Sequence, residues 1–294
     1  MRKPTFFIIG APKCGTTSFA NWLGAHSNVF LTENPKEPKF FDTDVSPNVM
    51  TLPQYESLFR DAKDTHIAIG EASTTYLRSI VAVPGILKYA EQPKFIVCLR
   101  NPVEMAPSVH GQLCHTLYEE IEDFTEAWAA QSERAEGLRI PKHCIGEEER
   151  LQFGRVCSLG AQLERLYQVV AREQVHCVFV EDMKQDPRRC YQETLQFLGL
   201  PDDGRAEFPV ANARKQPRAK WMSVLLKVLG RLKVRVGLGG RHFGLLRSAH
   251  QMNRVPAAKV ELDASMRQEL VEYFREDINL LSKITERDLS HWLK

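Results

Sequence analysis

Residues 6–18, FFIIGAPKCGTTS, constrain the fold of this chain more than any other stretch. Phe6, Phe7, Ile8 and Ile9 form a short apolar run of the kind found in a parallel strand buried on both faces. Gly10 and Gly15 bracket a tight turn, and Thr16, Thr17 and Ser18 open a helix continued by Phe19, Trp22 and Leu23. A glycine turn feeding a helix start aims several backbone N–H groups at one point. The helix dipole adds positive potential there, so the segment predicts an anion cradle at the exit of a central strand.

The cradle departs from the common nucleotide pattern. In a Walker A loop, G-x-x-x-x-G-K-[ST], lysine follows the second glycine. Here Gly10 and Gly15 keep the spacing and Thr17 takes the metal-binding hydroxyl position, but Thr16 stands where the lysine belongs. The loop's one cation, Lys13, lies inside the turn and would reach a phosphate from another side.

The rest of the chain alternates strand and helix signals. Val29–Leu31, Ile67–Gly70, Lys94–Leu99 and Val175–Val180 read as strands. Helices are expected near 53–59, over 79–91, from Pro102 to Leu113, from Asp123 to Gln131, from Leu159 to Ala171, and from Pro187 to Leu198 before Gly199. Residues 132–154 read as a charged loop. This alternation implies an α/β fold of three layers, with a mostly parallel central sheet, helices on both faces and right-handed crossovers. Ligands in such folds sit at the carboxyl ends of the strands, where both the Lys13 turn and Arg100 fall.

Four segments together resemble a known family. PKCGTTS is similar to the 5′-phosphosulfate loop of sulfotransferases that use 3′-phosphoadenosine 5′-phosphosulfate (PAPS). FIVCLRNPVEMAPS resembles the 3′-phosphate motif, with Arg100 at a strand end and Ser108 eight residues on. KEPKFFD, Lys36 to Asp42, resembles the segment that carries the catalytic carboxylate in heparan-type and many bacterial members. YFREDINLLSKITERDLSHWL resembles the closing helix and tail. The four occur in the family's order.

The resemblance implies transfer of a sulfuryl group from PAPS to an acceptor hydroxyl or amine, leaving adenosine 3′,5′-bisphosphate, without a metal. Lys13, with the N–H groups of Gly15 to Ser18, would meet the charge that builds on the departing phosphate. Cys14, Gly15, Thr16, Thr17 and Ser18 would line the donor site, and Arg100 and Ser108 would hold the 3′-phosphate. Glu37 is the expected general base, with Pro38, Phe40 and Phe41 as an apolar wall around it. Lys36 would help bind the transferring group or pair with Glu37. His66, His110 and His115 are rival bases, and Glu71 reads as a local hydrogen-bond anchor. Gln112 is a candidate acceptor contact. Where glycan-modifying members carry EKSP-like residues, this chain has EAST, with Ala72 in place of lysine.

Composition separates the remaining alternatives. With 294 residues, 43% hydrophobic and 26% charged, the chain suits one domain, 1–294, with a sizeable core. Seven cysteines without metal-ligand spacing argue against zinc and against a disulfide framework, and suit a reducing, cytoplasmic setting. Cys14 beside a lysine and a helix start would have a lowered pKa and be reactive if it were not a small core residue. The apolar stretch that follows Met1–Lys3 is too short for a signal-peptide h-region and has no cleavage site, so it reads as a first strand, and no run of 18 apolar residues predicts a transmembrane helix.

Residues 208–260 hold twelve Lys or Arg and no Asp or Glu, so the remaining 27 basic residues face 37 acidic ones. This segment reads as a solvated basic helix face, as a lid in which Arg214, Lys215 or Arg218 caps the 3′-phosphate, or as a contact for an anionic membrane or acceptor. The acceptor is a small molecule or a glycan; nucleic acid is not an expected partner. Two other functions stay open on the residues: an ATP-dependent P-loop kinase, disfavoured by Thr16, and a nucleotide-binding module without chemistry, in which Glu37 would be idle.

Overall fold

The computed structural model describes residues 2–46, 50–211, 215–217, 254–256 and 262–294. Among these, five strands form one parallel sheet: β1 (Phe6–Gly10), β2 (Val29–Leu31), β3 (Ala68–Ala72), β4 (Lys94–Leu99) and β5 (Val175–Phe179), in the order β2-β3-β1-β4-β5. The apolar runs of β1 and β4 are adjacent and central, and both are buried apart from Lys94. A strand covered on both faces has no polar face to show, which is why these runs do not alternate.

Helices cover the sheet in a three-layer α/β arrangement. α1 (Thr16–Gly24) leaves the turn after β1; α2 (Leu52–Ser57) and α3 (Ala82–Tyr89) flank β3; α4 (Pro102–His115) follows β4. Beyond α4, α5 (Phe124–Ala129) stands where a helix is expected. The region 132–154, expected to be a charged loop, is partly helical: it holds most of α6 (Gln131–Ala135), a 3₁₀ turn (Glu148–Leu151) and the start of α7 (Phe153–Cys157). Its charges conceal a core contact: Arg134 donates two hydrogen bonds, 2.6 and 2.7 Å, to Glu119, and both side chains are buried.

α8 (Leu159–Tyr167) precedes β5, and α9 (Val180–Gln185) and α10 (Pro187–Leu198) follow it. Gly199 ends α10 in the left-handed conformation (φ 77°) that glycine adopts without a Cβ clash. The long α11 (Ala264–Thr285) is capped by the Asp263 side chain, which accepts from the Met266 N–H at 2.7 Å. It buries Met266, Leu270, Phe274, Ile278 and Leu281, one face of a 3.6-residue repeat. A two-stranded antiparallel ribbon pairs β6 (Lys215–Pro217) with β7 (Arg254–Pro256). The side chains of Arg214, Lys215 and Arg218, and the expected basic helix, lie outside the described residues. No helix among the described residues is long and apolar enough to cross a membrane.

Candidate functional site

The turn after β1 is built as its glycines require. Gly15 caps α1 with φ 76°, and a Cβ there would lie 3.3 Å from the Met183 sulfur on α9. Lys13 also has a positive φ, 64°, a backbone state that non-glycine residues adopt uncommonly. Cys14 points into the core and is fully buried. Loss of water pushes its thiol up to about 12, outweighing the opposing pull of Arg100 and Lys13. This reverses the expectation of a reactive thiol; Cys14 packs instead with its sulfur 3.7 Å from that of Met105.

The three hydroxyls at the helix start differ. Thr16 is buried and Thr17 half-buried. The Ser18 hydroxyl is engaged by the chain itself: it accepts from the Ala211 N–H at 2.9 Å and is 3.3 Å from the Ala211 carbonyl oxygen. Trp22 Nε1 donates to the Pro209 carbonyl at 2.9 Å, so the segment leading to 211 runs along α1 toward the turn.

α4 supplies the second half of the site. Asn101 caps the helix, its side chain accepting from the Val103 N–H at 2.9 Å. Met105 is buried beneath the turn, against Cys14. Glu104, Ser108 and Gln112 follow at four-residue intervals and so share one face of the helix. Glu104 Oε2 accepts from Arg100 Nη2 at 3.1 Å, Ser108 is buried, and Gln112 Oε1 accepts from Lys13 Nζ at 2.8 Å. Arg100 also donates to the Lys13 carbonyl at 3.1 Å, while its Nε is buried with no hydrogen-bond partner among the described residues. The two cations predicted to hold the two phosphate groups are thus brought to one turn. Gln112, read from the sequence as a candidate acceptor contact, touches Lys13. Glu104 escaped notice because an i,i+4 pair at a helix start looks like ordinary surface charge.

Glu37 lies in the loop between β2 and α2. Its Oε1 accepts from the Thr74 hydroxyl at 3.1 Å, and Lys39 Nζ is 3.5 Å from Oε2. The Thr74 carbonyl oxygen sits 3.1 Å from where a Cβ on Gly10 would be, so Thr74 links the carboxylate to the base of the phosphate turn. The ion pair formed is with Lys39, not Lys36, and the sequence reading missed it. Lys36 is exposed; partial loss of water lowers its pKa, against the opposing pull of Glu37 and Glu33. Phe40 and Phe41 join a ring cluster with Tyr55, Phe7, Tyr76 and Tyr89, with Phe40 stacked 4.5 Å from Tyr55.

Glu71 is fully buried and accepts three hydroxyls: Tyr55 at 2.7 Å, Tyr76 at 3.1 Å and Ser73 at 2.8 Å. Burial raises its carboxyl to about 7 despite these bonds. Of the rival bases, His110 is buried, its ring nitrogen 2.8 Å from the Ile121 carbonyl, and burial lowers its pKa. His66 accepts from the Lys63 N–H just before β3, away from the carboxyl ends of the strands. His115 is the last residue of α4.

Comparison with known proteins places these features in context. A family model described as "Sulfotransferase domain" matches residues 3–242. The fold is shared with a sulfotransferase from Alicyclobacillus acidocaldarius, at 24% identity and TM-score 0.72 over 100% of both chains. A mouse sulfotransferase, SULT7A1 complexed with PAP, aligns at 13% identity and TM-score 0.50 over 97% of this chain and 89% of that one. No curated protein sequence matches.

Proposed function

Because this chain belongs to the sulfotransferase domain family, we propose that it uses PAPS as donor and passes the sulfuryl group to a hydroxyl or amine, with Glu37 as general base. One observation carries the reading: Arg100 is hydrogen-bonded to the carbonyl of Lys13 at 3.1 Å, and one face of α4 touches both cations. A ligand with phosphate groups at two places on one ribose asks for two cation sites at such a turn. The buried, unsatisfied Nε of Arg100 fits an anion, since a buried donor without a partner costs free energy that a phosphate oxygen would relieve.

PAPS, when bound, supplies the sulfuryl group and the phosphate leaving group. Lys13 and the N–H groups of Gly15 to Ser18 hold the 5′ end and meet the negative charge that develops there. Arg100, with Ser108 behind it, holds the 3′-phosphate. Glu37, steadied by Thr74 and Lys39, takes the acceptor's proton, and Lys36 stands beside it for the transferring group. No step assigned to these residues needs a divalent ion. The whole chain, 1–294, acts as one unit, and residues 209–211 are tied to α1 beside the donor turn by the bonds of Trp22 and Ser18. The acceptor is a small molecule or a glycan.

Calorimetric titration with adenosine 3′,5′-bisphosphate and with ATP, each with and without magnesium, tests the proposal. Tight binding of the bisphosphate without magnesium is expected, weakened about tenfold or more by Arg100→Ala, the size of a lost charged hydrogen bond. Glu37→Gln should leave that binding intact and slow sulfuryl transfer by about 10²- to 10⁴-fold, the range of a general base. Preference for ATP with magnesium would overturn the reading in favour of a kinase. Unchanged transfer in Glu37→Gln would remove the carboxylate base.

A further inference from the structure

Glu71 is a buried carboxylate next to the sheet centre, paired in register with Phe7 of β1. Three hydroxyls surround it, and a neutral core could satisfy them among themselves. Ionised, as it is above a pH of about 7, Glu71 does something a neutral group does not: it only accepts. Each hydroxyl has one proton, and at Glu71 all three protons point inward. The oxygens of Tyr76 and Ser73 are then left as acceptors on their other side. There the Tyr76 oxygen accepts from the Phe40 N–H at 2.9 Å and from the Phe41 N–H at 3.4 Å, and the Ser73 oxygen accepts from the Lys39 N–H at 3.1 Å. The third hydroxyl belongs to Tyr55, whose ring stacks on Phe40.

All three groups oriented by Glu71 therefore grip residues 39–41, two to four positions beyond Glu37. Thr74, between Ser73 and Tyr76, donates to Glu37 itself. We infer that Glu71 is a positioning residue: by setting the hydrogen-bond direction of Ser73, Tyr55 and Tyr76, it fixes the loop that holds the Glu37 carboxylate beside the phosphate turn. The inference rests on the reading of Glu37 as the base. It also explains why an amide would be a poor substitute. A glutamine at 71 donates from its NH₂ group, which turns a hydroxyl proton toward a loop N–H and sets donor against donor.

The test uses the full chain with Glu71→Gln, and with Tyr76→Phe and Ser73→Ala, which keep the carboxylate and remove one acceptor each should the first variant fold poorly. Two readouts are taken. The first is amide hydrogen exchange over residues 36–46 with adenosine 3′,5′-bisphosphate bound, with residues 11–20 as the internal reference. The second is sulfuryl transfer from PAPS to water, in which the water oxygen bonds sulfur, its proton goes to the base, and the bisphosphate departs with the electrons of the broken S–O bond. Exchange is expected to speed severalfold over 36–46 but not over 11–20, with bisphosphate affinity as in wild type. Transfer should fall about tenfold to a hundredfold, as misplacement of a reacting group does. In a Glu37→Gln background, Glu71→Gln should cost nothing further, because it acts through Glu37. Unchanged exchange over 36–46 in all the variants, or the same loss of rate in both backgrounds, would overturn the inference. Full activity of Glu37→Gln alone would overturn the base assignment, and with it the catalytic role of Glu71, even where the loop loosens.

Discussion

Arg100 is held by two partners of its own chain, the Lys13 carbonyl and the Glu104 carboxylate. The ion pair with Glu104 is partly exposed, with side chains 15% and 35% accessible, so its worth is about 1 kcal/mol or less. On the proposed reading, a phosphate at Arg100 displaces or shares that carboxylate. Glu104→Gln is therefore expected to tighten adenosine 3′,5′-bisphosphate binding by up to about fivefold, read by calorimetry; weaker binding would mean that Glu104 shapes the site rather than competing for it. A second outcome at this scale concerns pH. Glu71 titrates near 7 when folded against an ordinary 4.5, so between those values the native state binds the extra proton. Stability from this group is present at low pH and lost as pH rises through the window, because ionising it without a cation nearby costs more than its hydroxyls return. Tyr55, Ser73, Tyr76 and Asp42 are the groups it meets. Thermal melting of wild type minus Glu71→Gln from pH 5 to 8 should show wild type losing ground as pH increases; a flat difference would contradict the raised value. Such residues were the least legible from the sequence. PKCGTTS announces an anion cradle, but it does not say that Cys14 faces inward, where loss of water outweighs two nearby cations. Nor does KEPK say which lysine meets Glu37, since Lys36 and Lys39 compete for it and the loop's anchors decide.

Elements were far easier to read. All five strands of the sheet appear within a residue or two of where the sequence places them; for β1 and β4 the reason is that a strand buried on both faces has no polar face to show. The stretch 132–154 was read as loop because its short helices show no apolar period over so few residues, and because the ion pair that holds them, Arg134 with Glu119, is a long-range contact. Two glycines on helices carry opposite expectations for one substitution. Gly160 on α8 lets α11 approach: a Cβ there would lie 2.3 Å from the Asp277 carbonyl oxygen, and the Gly160 N–H donates to the Asp277 side chain at 2.9 Å. Gly160→Ala should destabilise by ~1–3 kcal/mol, the cost of overpacking. Gly111 on α4 has nothing within 4 Å of its missing Cβ, so Gly111→Ala should stabilise by ~0.5–1 kcal/mol through helix propensity. Urea denaturation of the pair checks both signs; equal shifts would mean that the α8–α11 contact yields readily.

Across the whole molecule, the C-terminal residues brace the site from behind. Arg287 forms a two-pronged ion pair with Asp182 and lies 4.1 Å from the ring centre of Phe179, and Trp292 Nε1 donates to Glu181 at 2.6 Å. All three partners sit at the end of β5 or on α9, whose Met183 meets Gly15 in the phosphate turn. Trp292→Ala should cost ~3–5 kcal/mol of stability, as emptying a large buried site does. It should also weaken bisphosphate binding, where Gly111→Ala should not. Equal binding in both variants would uncouple the tail from the turn. The ridge of α4 has a different consequence. With Glu104 at Arg100 and Gln112 at Lys13, a single rigid rod meets both cations, and the rod acts as a gauge. A ligand whose two anionic groups match its span engages both ends at once; one with a single anion, or with a different span, leaves an end turned toward its own helix. On the proposed donor reading, the fixed length of one helix sets which spacing of anions is favoured.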